Sequence, residues 1–267
     1  MEYSYFSHRA MKKEHLILVT NDDSVNAKGI HALVEVAKQF GEVVVVAPDK
    51  PQSGMGHAIT INDPLRLKKT SLFADTTAFA CSGTPVDCVK LAIYEVMHRK
   101  PDLILSGFNH GENSSTNVLY SGTMSAAIEG AMEGIPSIGF SLADYSPEAD
   151  FEPAKFYATK IVMQVLKSKM EKGICLNVNI PKLSVGEIKG IKVCSQAHAF
   201  WADRFDKRMD QFGQPYFWLT GEFSDMDKRP DTDLHALKHG FVSVVPTQYD
   251  LTAYAAIEKY KSLEDEN

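Results

Sequence analysis

The sequence has no Cys-x-x-Cys spacing among its four cysteines, Cys81, Cys88, Cys175 and Cys194. Their spacing gives no disulfide framework, so reduced thiols in a cytoplasmic protein are expected. No block of lysine or arginine stands out, and 28 basic against 34 acidic residues leave a net charge of −6. Nucleic-acid polymers and membrane surfaces therefore have no electrostatic basis for binding. Long hydrophobic runs are missing too. The longest near the N-terminus, residues 16–19, is too short for a signal peptide or a membrane span. The first strand-to-helix turn lacks Gly-x-Gly-x-x-Gly, which argues against a dinucleotide, and there is no P-loop.

What is present is globular. Hydrophobic residues make up 44% and charged residues 23% of 267 positions, enough for one large α/β domain or a domain with an appendage. Residues 1–14 are polar and aperiodic and read as a frayed tail. Residues 15–20 are a continuous apolar run ending in Asn21-Asp22-Asp23, the pattern of a strand buried on both faces. Helical spacing follows over 29–40, with Gly41 at the C-cap position, and 42–47 is a second buried strand. Residues 48–57 read as a loop, and 58–61 and 79–81 as short strands. Thr84 caps a helix that has Pro85 in its first turn and an apolar face of Val86, Val89, Ile93 and Val96.

Further strands are expected at 103–106, 136–140 and 174–180, the last closing the main sheet. A long loop at 107–120 leads to a helix opened by Ser121, and another helix covers 156–170. After Pro181 the alternation stops. Residues 188–247 read as strands joined by long loops, and a terminal helix is expected near 255–263. The fold class is thus a doubly wound, mostly parallel, Rossmann-like α/β sheet with a C-terminal β-rich extension. In domain terms, 15–187 form the catalytic core and 188–267 an extension of the same domain, used in oligomerisation.

In open α/β sheets ligands bind beyond the carboxyl ends of the strands. Asp22 and Asp23 lie at one such end, Asp49, Ser53 and His57 follow a second, and the segment from Ser106 to Asn113 follows a third. Two adjacent carboxylates there need a cation, and oxygen donors without a Cys/His cluster suit Mg²⁺ or Mn²⁺. Capping of the next helix is the bland reading. Ser121-Gly122-Thr123 at a helix start offers free N–H groups, hydroxyls and the positive end of the helix dipole, which suits phosphate, or a simple N-cap. Metal plus phosphate suggests phosphoryl transfer or hydrolysis. His235 and His239 stand four apart but lack a zincin pattern, so structural roles are expected. The aromatics at 200–218 read as core or subunit interface rather than a base-stacking platform.

These segments resemble one family. Leu18-Val-Thr-Asn-Asp-Asp23, Ala27-Lys-Gly-Ile30, Val45-Val-Ala-Pro-Asp49, Gly83-Thr-Pro-Val-Asp-Cys-Val89 and Ser106-Gly-Phe-Asn-His-Gly-Glu-Asn113 carry the likeness. So do Tyr120-Ser-Gly-Thr123, Ala126-Ala-Ile-Glu-Gly130, Thr232-Asp233, Gly240-Phe-Val-Ser-Val-Val-Pro246 and Asp250-Leu-Thr252. The chain is similar to the stationary-phase survival protein SurE family, metal-dependent 5′-nucleotidases acting on nucleoside monophosphates.

The resemblance implies one divalent metal on Asp22, Asp23, Ser53 and Asn109, and phosphate contacts from Asn113, Ser121, Gly122 and Thr123. It also implies catalytic roles for Asp22 or Asp23, as base or as nucleophile, and a homodimer or homotetramer with exchanged C-terminal strands. Ser24 departs from the family's usual glycine, which predicts mild strain if that position needs positive φ. A Mg²⁺-binding phosphate-sensing domain and a catalytically silent nucleotide-binding module are the alternatives. A receiver-like sensor leaves the extension after 181 unexplained.

Overall fold

In a computed structural model, which describes residues 15–264, the chain forms one large sheet covered on both faces and a separate two-stranded ribbon. The strands are β1 (His15–Thr20), β2 (Gly41–Pro48), β3 (Leu67–Lys69), β4 (Thr77–Cys81), β5 (Leu103–His110), β6 (Ser137–Leu142), β7 (Ile174–Ile180), β8 (Ile191–Val193), β9 (Ala199–Met209), β10 (Pro215–Asp225) and β11 (Val242–Gln248). The α-helices are α1 (Lys28–Ala37), α2 (Pro85–Leu91), α3 (Gly122–Met132), α4 (Glu152–Ser168), α5 (Asp233–Lys238) and α6 (Tyr254–Tyr260). The frayed tail expected at 1–14 lies outside the described residues.

The large sheet runs β3-β4-β2-β1-β5-β6-β7-β11-β8, and β4 through β7 are mutually parallel. The alternation of side chains along β1 explains why it is apolar throughout. Ile17 and Val19 pack with Ile30 and Leu33 of α1 and Ile161 of α4, whereas Leu16 and Leu18 pack with Val89 of α2 and Ala126 of α3. The chain winds from β1 outward to β2 and β4, then returns across β1 to β5. The switch point therefore lies between β1 and β5, where Thr20 pairs with Ser106.

Several expectations change. Residues 58–61 form no strand, because that stretch lacks neighbours for a ladder. Thr60 bonds instead to the Asp87 carboxylate through its N–H, at 3.1 Å, and its hydroxyl, at 2.6 Å. The segment 107–120 is no plain loop: β5 continues to His110 by pairing with β6, and Ser115–Leu119 is a 3₁₀ turn. The sheet does not end at β7. β11 adds antiparallel to it, and β8 adds to β11. Thr84 caps α2 as expected, in a reciprocal box with Asp87. All four cysteines are buried and free. No helix among the described residues is long and apolar enough to cross a membrane.

Candidate active site

At the switch point the ends of β1 and β5, the loop after β2 and the start of α3 close around one cavity of about 850 Å³. Asp22, Ser53, Asn109, Asn113 and Ser121 all line it, whereas Asp23, next in the chain, accepts the His110 N–H and is not part of the lining. Backbone bonds hold the converging loops. The Gln52 N–H donates to the Asp22 carbonyl at 2.7 Å, and the Gly56 N–H to the Tyr120 carbonyl at 3.1 Å. His57 anchors the same loop through its Nε2, 3.0 Å from Glu129 of α3. Burial works against ionisation of Glu129, yet His57 and Lys90 hold its carboxyl below the usual range.

Asp22 and Asp23 differ in their surroundings. Asp22 is buried, and Thr123 donates its hydroxyl hydrogen to Oδ1 at 2.5 Å. Burial, and then the neighbouring Asp23 charge, push the Asp22 carboxyl up to about 6. Asp23 accepts the His110 N–H on Oδ2 at 3.2 Å, and burial raises it as well. Ser24 does adopt positive φ, at 89°. Its carbonyl accepts the Asn21 side-chain amide at 2.9 Å and its hydroxyl accepts the Asn26 N–H at 3.3 Å, so local bonds offset the strain.

The donor set fits a hard divalent cation. Asn109 spends its amide nitrogen on the carbonyls of His110 and Gly111, at 3.2 and 2.8 Å. That leaves its carbonyl oxygen to act as a ligand beside the two carboxylates and the Ser53 hydroxyl. Among the described residues no three His, Cys, Asp or Glu side chains converge. The set is thus two carboxylates and neutral oxygens, the composition that favours Mg²⁺ or Mn²⁺ over zinc.

The residues expected to contact phosphate divide. Ser121 caps α3 by accepting the Met124 N–H at 3.0 Å, which keeps its hydroxyl hydrogen for a ligand. Gly122 packs directly on Asp22: a Cβ there would lie 2.6 Å from the Asp22 Cβ, so only glycine brings the helix start this close. The Thr123 hydroxyl is directed to Asp22 and not to the cavity.

Asn113 sits in a network that sequence reasoning misses. Its N–H donates to Asn179 Oδ1 at 2.7 Å, its side-chain amide donates to Ser141 Oγ at 2.8 Å, and its carbonyl accepts Asn177 Nδ2 at 2.8 Å. The sequence does hold a signal, since Asn177 and Asn179 alternate within an otherwise apolar buried strand. Asp233 carries part of the family likeness without an assigned role. It is buried and accepts the N–H groups of Ser115 and Ala197 at 2.8 and 3.0 Å, tying the loop after β5 to the root of β9. His235 of α5 and His239, which follows its last residue, stack with ring centroids 3.9 Å apart and do not line the cavity. The aromatic segment does not form a core, because its members are exposed, and Phe200 and Trp201 line the cavity instead.

The family model described as "Survival protein SurE" matches residues 17–203. The chain belongs to the SurE family. It is 60% identical over 245 residues to the 5′-nucleotidase SurE of Flavobacterium johnsoniae, covering 91% of this chain and 95% of that protein. It is 58% identical to the Christiangramia forsetii 5′-nucleotidase SurE, covering 94% and 97%. The crystal structure of the SurE protein from Aquifex aeolicus superposes with a TM-score of 0.82 at 41% identity, covering 94% of this chain and all of that one. At that similarity the SurE fold extends across the described sheet, strands β8 and β11 included.

Proposed function

We propose that this SurE-family protein is a metal-dependent 5′-nucleotidase that hydrolyses nucleoside 5′-monophosphates to nucleoside and phosphate. One observation carries the reading: the Asp22 carboxylate and the helix start at Ser121 meet at a single cavity, in a chain 60% identical to a protein named 5′-nucleotidase SurE. Asp22, Asp23, Ser53 and Asn109 would hold Mg²⁺ or Mn²⁺, which supplies Lewis acidity and charge neutralisation at the phosphoryl group. Ser121 and the first N–H groups of α3 orient the phosphate. Asn113 presents its edge from a backbone fixed by Asn177 and Asn179. Thr123 steers Asp22, and its hydrogen bond favours the ionised carboxylate that a cation needs. Asp22 or Asp23 receives the proton of an attacking water, or attacks phosphorus itself.

Nothing favours a receiver-like sensor. The segment such a domain leaves unexplained contributes two strands to the sheet and part of the cavity wall. The ribbon of β9 and β10 supports a homo-oligomer, because both of its faces carry exposed aromatics. The four unpaired buried thiols support a reducing compartment, the cytoplasm.

The test is phosphate release from a nucleoside 5′-monophosphate. Chelation with EDTA abolishes it, Mg²⁺ or Mn²⁺ restores it, and Asp23→Ala loses both metal binding and turnover. Full activity after exhaustive chelation would overturn the metal dependence. No release from any nucleotide would overturn the nucleotidase.

A further inference from the structure

The cavity extends well beyond what a phosphate needs. Its far wall is the root of the β9–β10 ribbon, where Trp201, Asp203, Leu219 and Gly221 come together. The antiparallel register explains the grouping. Trp201 pairs with Phe223, Asp203 with Gly221 and Phe205 with Leu219, so these residues share one ribbon face. Gly221 sits on that face between Leu219 and Phe223 and contributes no side chain, leaving a gap opposite Asp203. A Cβ at Gly221 would lie 2.7 Å from the Ala202 carbonyl oxygen, so the gap cannot be filled without moving the ribbon.

Trp201 is fixed within this wall. Its indole N–H donates to Asn117 Oδ1 at 2.8 Å, and its ring meets Phe223 edge-on with centroids 5.5 Å apart. It nonetheless stays 46% exposed. An indole whose polar edge is satisfied and whose ring is half open suits a flat, aromatic ligand. Asn117 belongs to the 3₁₀ turn after β5, the segment that Ser115 and Asp233 tie to β9. The Ser115 hydroxyl also donates to the Ala199 carbonyl at 2.9 Å, and the Ala199 N–H donates back to that hydroxyl at 3.1 Å. The wall is therefore tied to the loop that carries Asn113.

We propose that Trp201 is the nucleobase platform of this site. The base stacks on the indole over the gap left by Gly221, and the Asp203 carboxylate accepts hydrogen bonds from the ribose hydroxyls. Stacking is indifferent to which base is presented, because every base has a π-face. The platform thus holds a base by its face and ranks bases by stacking strength. This rests on the nucleotidase reading and assigns the base-binding residue within it.

The chain has two tryptophans, so Trp218→Phe leaves Trp201 as the sole indole and makes it a direct reporter. In that variant, adenosine 5′-monophosphate is expected to quench the remaining fluorescence saturably, while ribose 5-phosphate leaves it unchanged. In kinetics, Trp201→Ala is expected to raise KM for nucleoside monophosphates on the order of tenfold. The same change leaves ribose 5-phosphate hydrolysis unchanged, and Trp201→Phe restores most of the loss. Quenching that ribose 5-phosphate matches, or an equal loss on both substrates in Trp201→Ala, would overturn the platform while leaving the nucleotidase standing. Binding is read without turnover, so an absence of hydrolysis would count against the nucleotidase and not against the platform.

Discussion

Thr123 gives its hydroxyl hydrogen to Oδ1 of Asp22 at 2.5 Å, between two side chains that are both buried. A helix start that would ordinarily serve only a ligand here also orients the carboxylate beside it. Removing this donor strands a buried acceptor, which costs on the order of 1–3 kcal/mol. Partners that orient metal ligands typically govern affinity by about 10- to 100-fold. Thr123→Val is therefore expected to weaken Mn²⁺ binding by that factor, measured by titration calorimetry. Thr123→Ser, which keeps the hydroxyl, stays near wild type.

Acidity offers a second check. Burial and the Asp23 charge raise Asp22 to about 6 in the folded chain. The folded state therefore holds a proton that the unfolded state has released, and stability from this group is lost as pH rises from about 4 to about 6. A cation requires the carboxylate ionised, so its stabilising effect runs the other way. Melting temperatures with and without Mn²⁺ are expected to diverge increasingly across that window. Asp22→Asn is expected to flatten both the metal-free slope and the divergence. Curves that stay parallel in the wild type would contradict this account.

The carboxyl ends of β1 and β5 are legible because continuous apolar runs stop abruptly at polar residues, and a parallel sheet brings such ends to one edge. The same reasoning points the segments that carry Asp22, Ser53 and Asn109 to one edge, and all three line the cavity. It does not tell which way a side chain turns. Thr123 lies in a segment that suits phosphate, and only the packing of α3 on β1 directs its hydroxyl to Asp22. Nor does periodicity place β11, which reaches β7 only after some 60 intervening residues. Pairings that distant leave no local trace. The root of the ribbon is illegible for a related reason, since aromatic composition alone does not distinguish a buried core from a cavity wall.

Asn179 tests the part of the site that composition conceals. It accepts the Asn113 N–H at 2.7 Å and donates to Asn177 Oδ1 at 3.0 Å, so one side chain joins β7 to the proposed phosphate contact Asn113. Asn179→Ala leaves two buried partners unsatisfied. It is expected to lower kcat at least tenfold, on the order of 1.4 kcal/mol or more. Mn²⁺ affinity is unchanged, because none of the four proposed metal residues hydrogen-bonds to Asn179. Asn179→Asp keeps the acceptor toward Asn113 and is expected to recover part of the loss. A variant with wild-type kcat would remove Asn113 from the phosphate-binding set.

The ribbon makes the last test. β9 and β10 pair only with each other, over 11 residues each, and neither joins the large sheet. An isolated two-stranded hairpin is marginally stable in water, and among the described residues no third strand pairs with either of its edges. Its distal half carries Phe205, Phe212, Phe217 and Trp218, each more than half exposed. An apolar surface of that kind on a monomer marks an interaction site. A second copy of the chain answers both needs, since it covers the aromatics and fixes the ribbon. Cutting the chain after Pro181 would not test this, because it removes β8 and β11 from the main sheet. The informative variant is Phe212→Ser with Phe217→Ser, which leaves the sheet and the cavity lining intact. Light scattering is expected to give a dimer or tetramer for the wild type and a smaller species for the double variant, with Mn²⁺ binding preserved. A wild-type chain that remains monomeric at high micromolar concentration would leave the ribbon's aromatic faces without a partner of its own kind, and would refute the homo-oligomer.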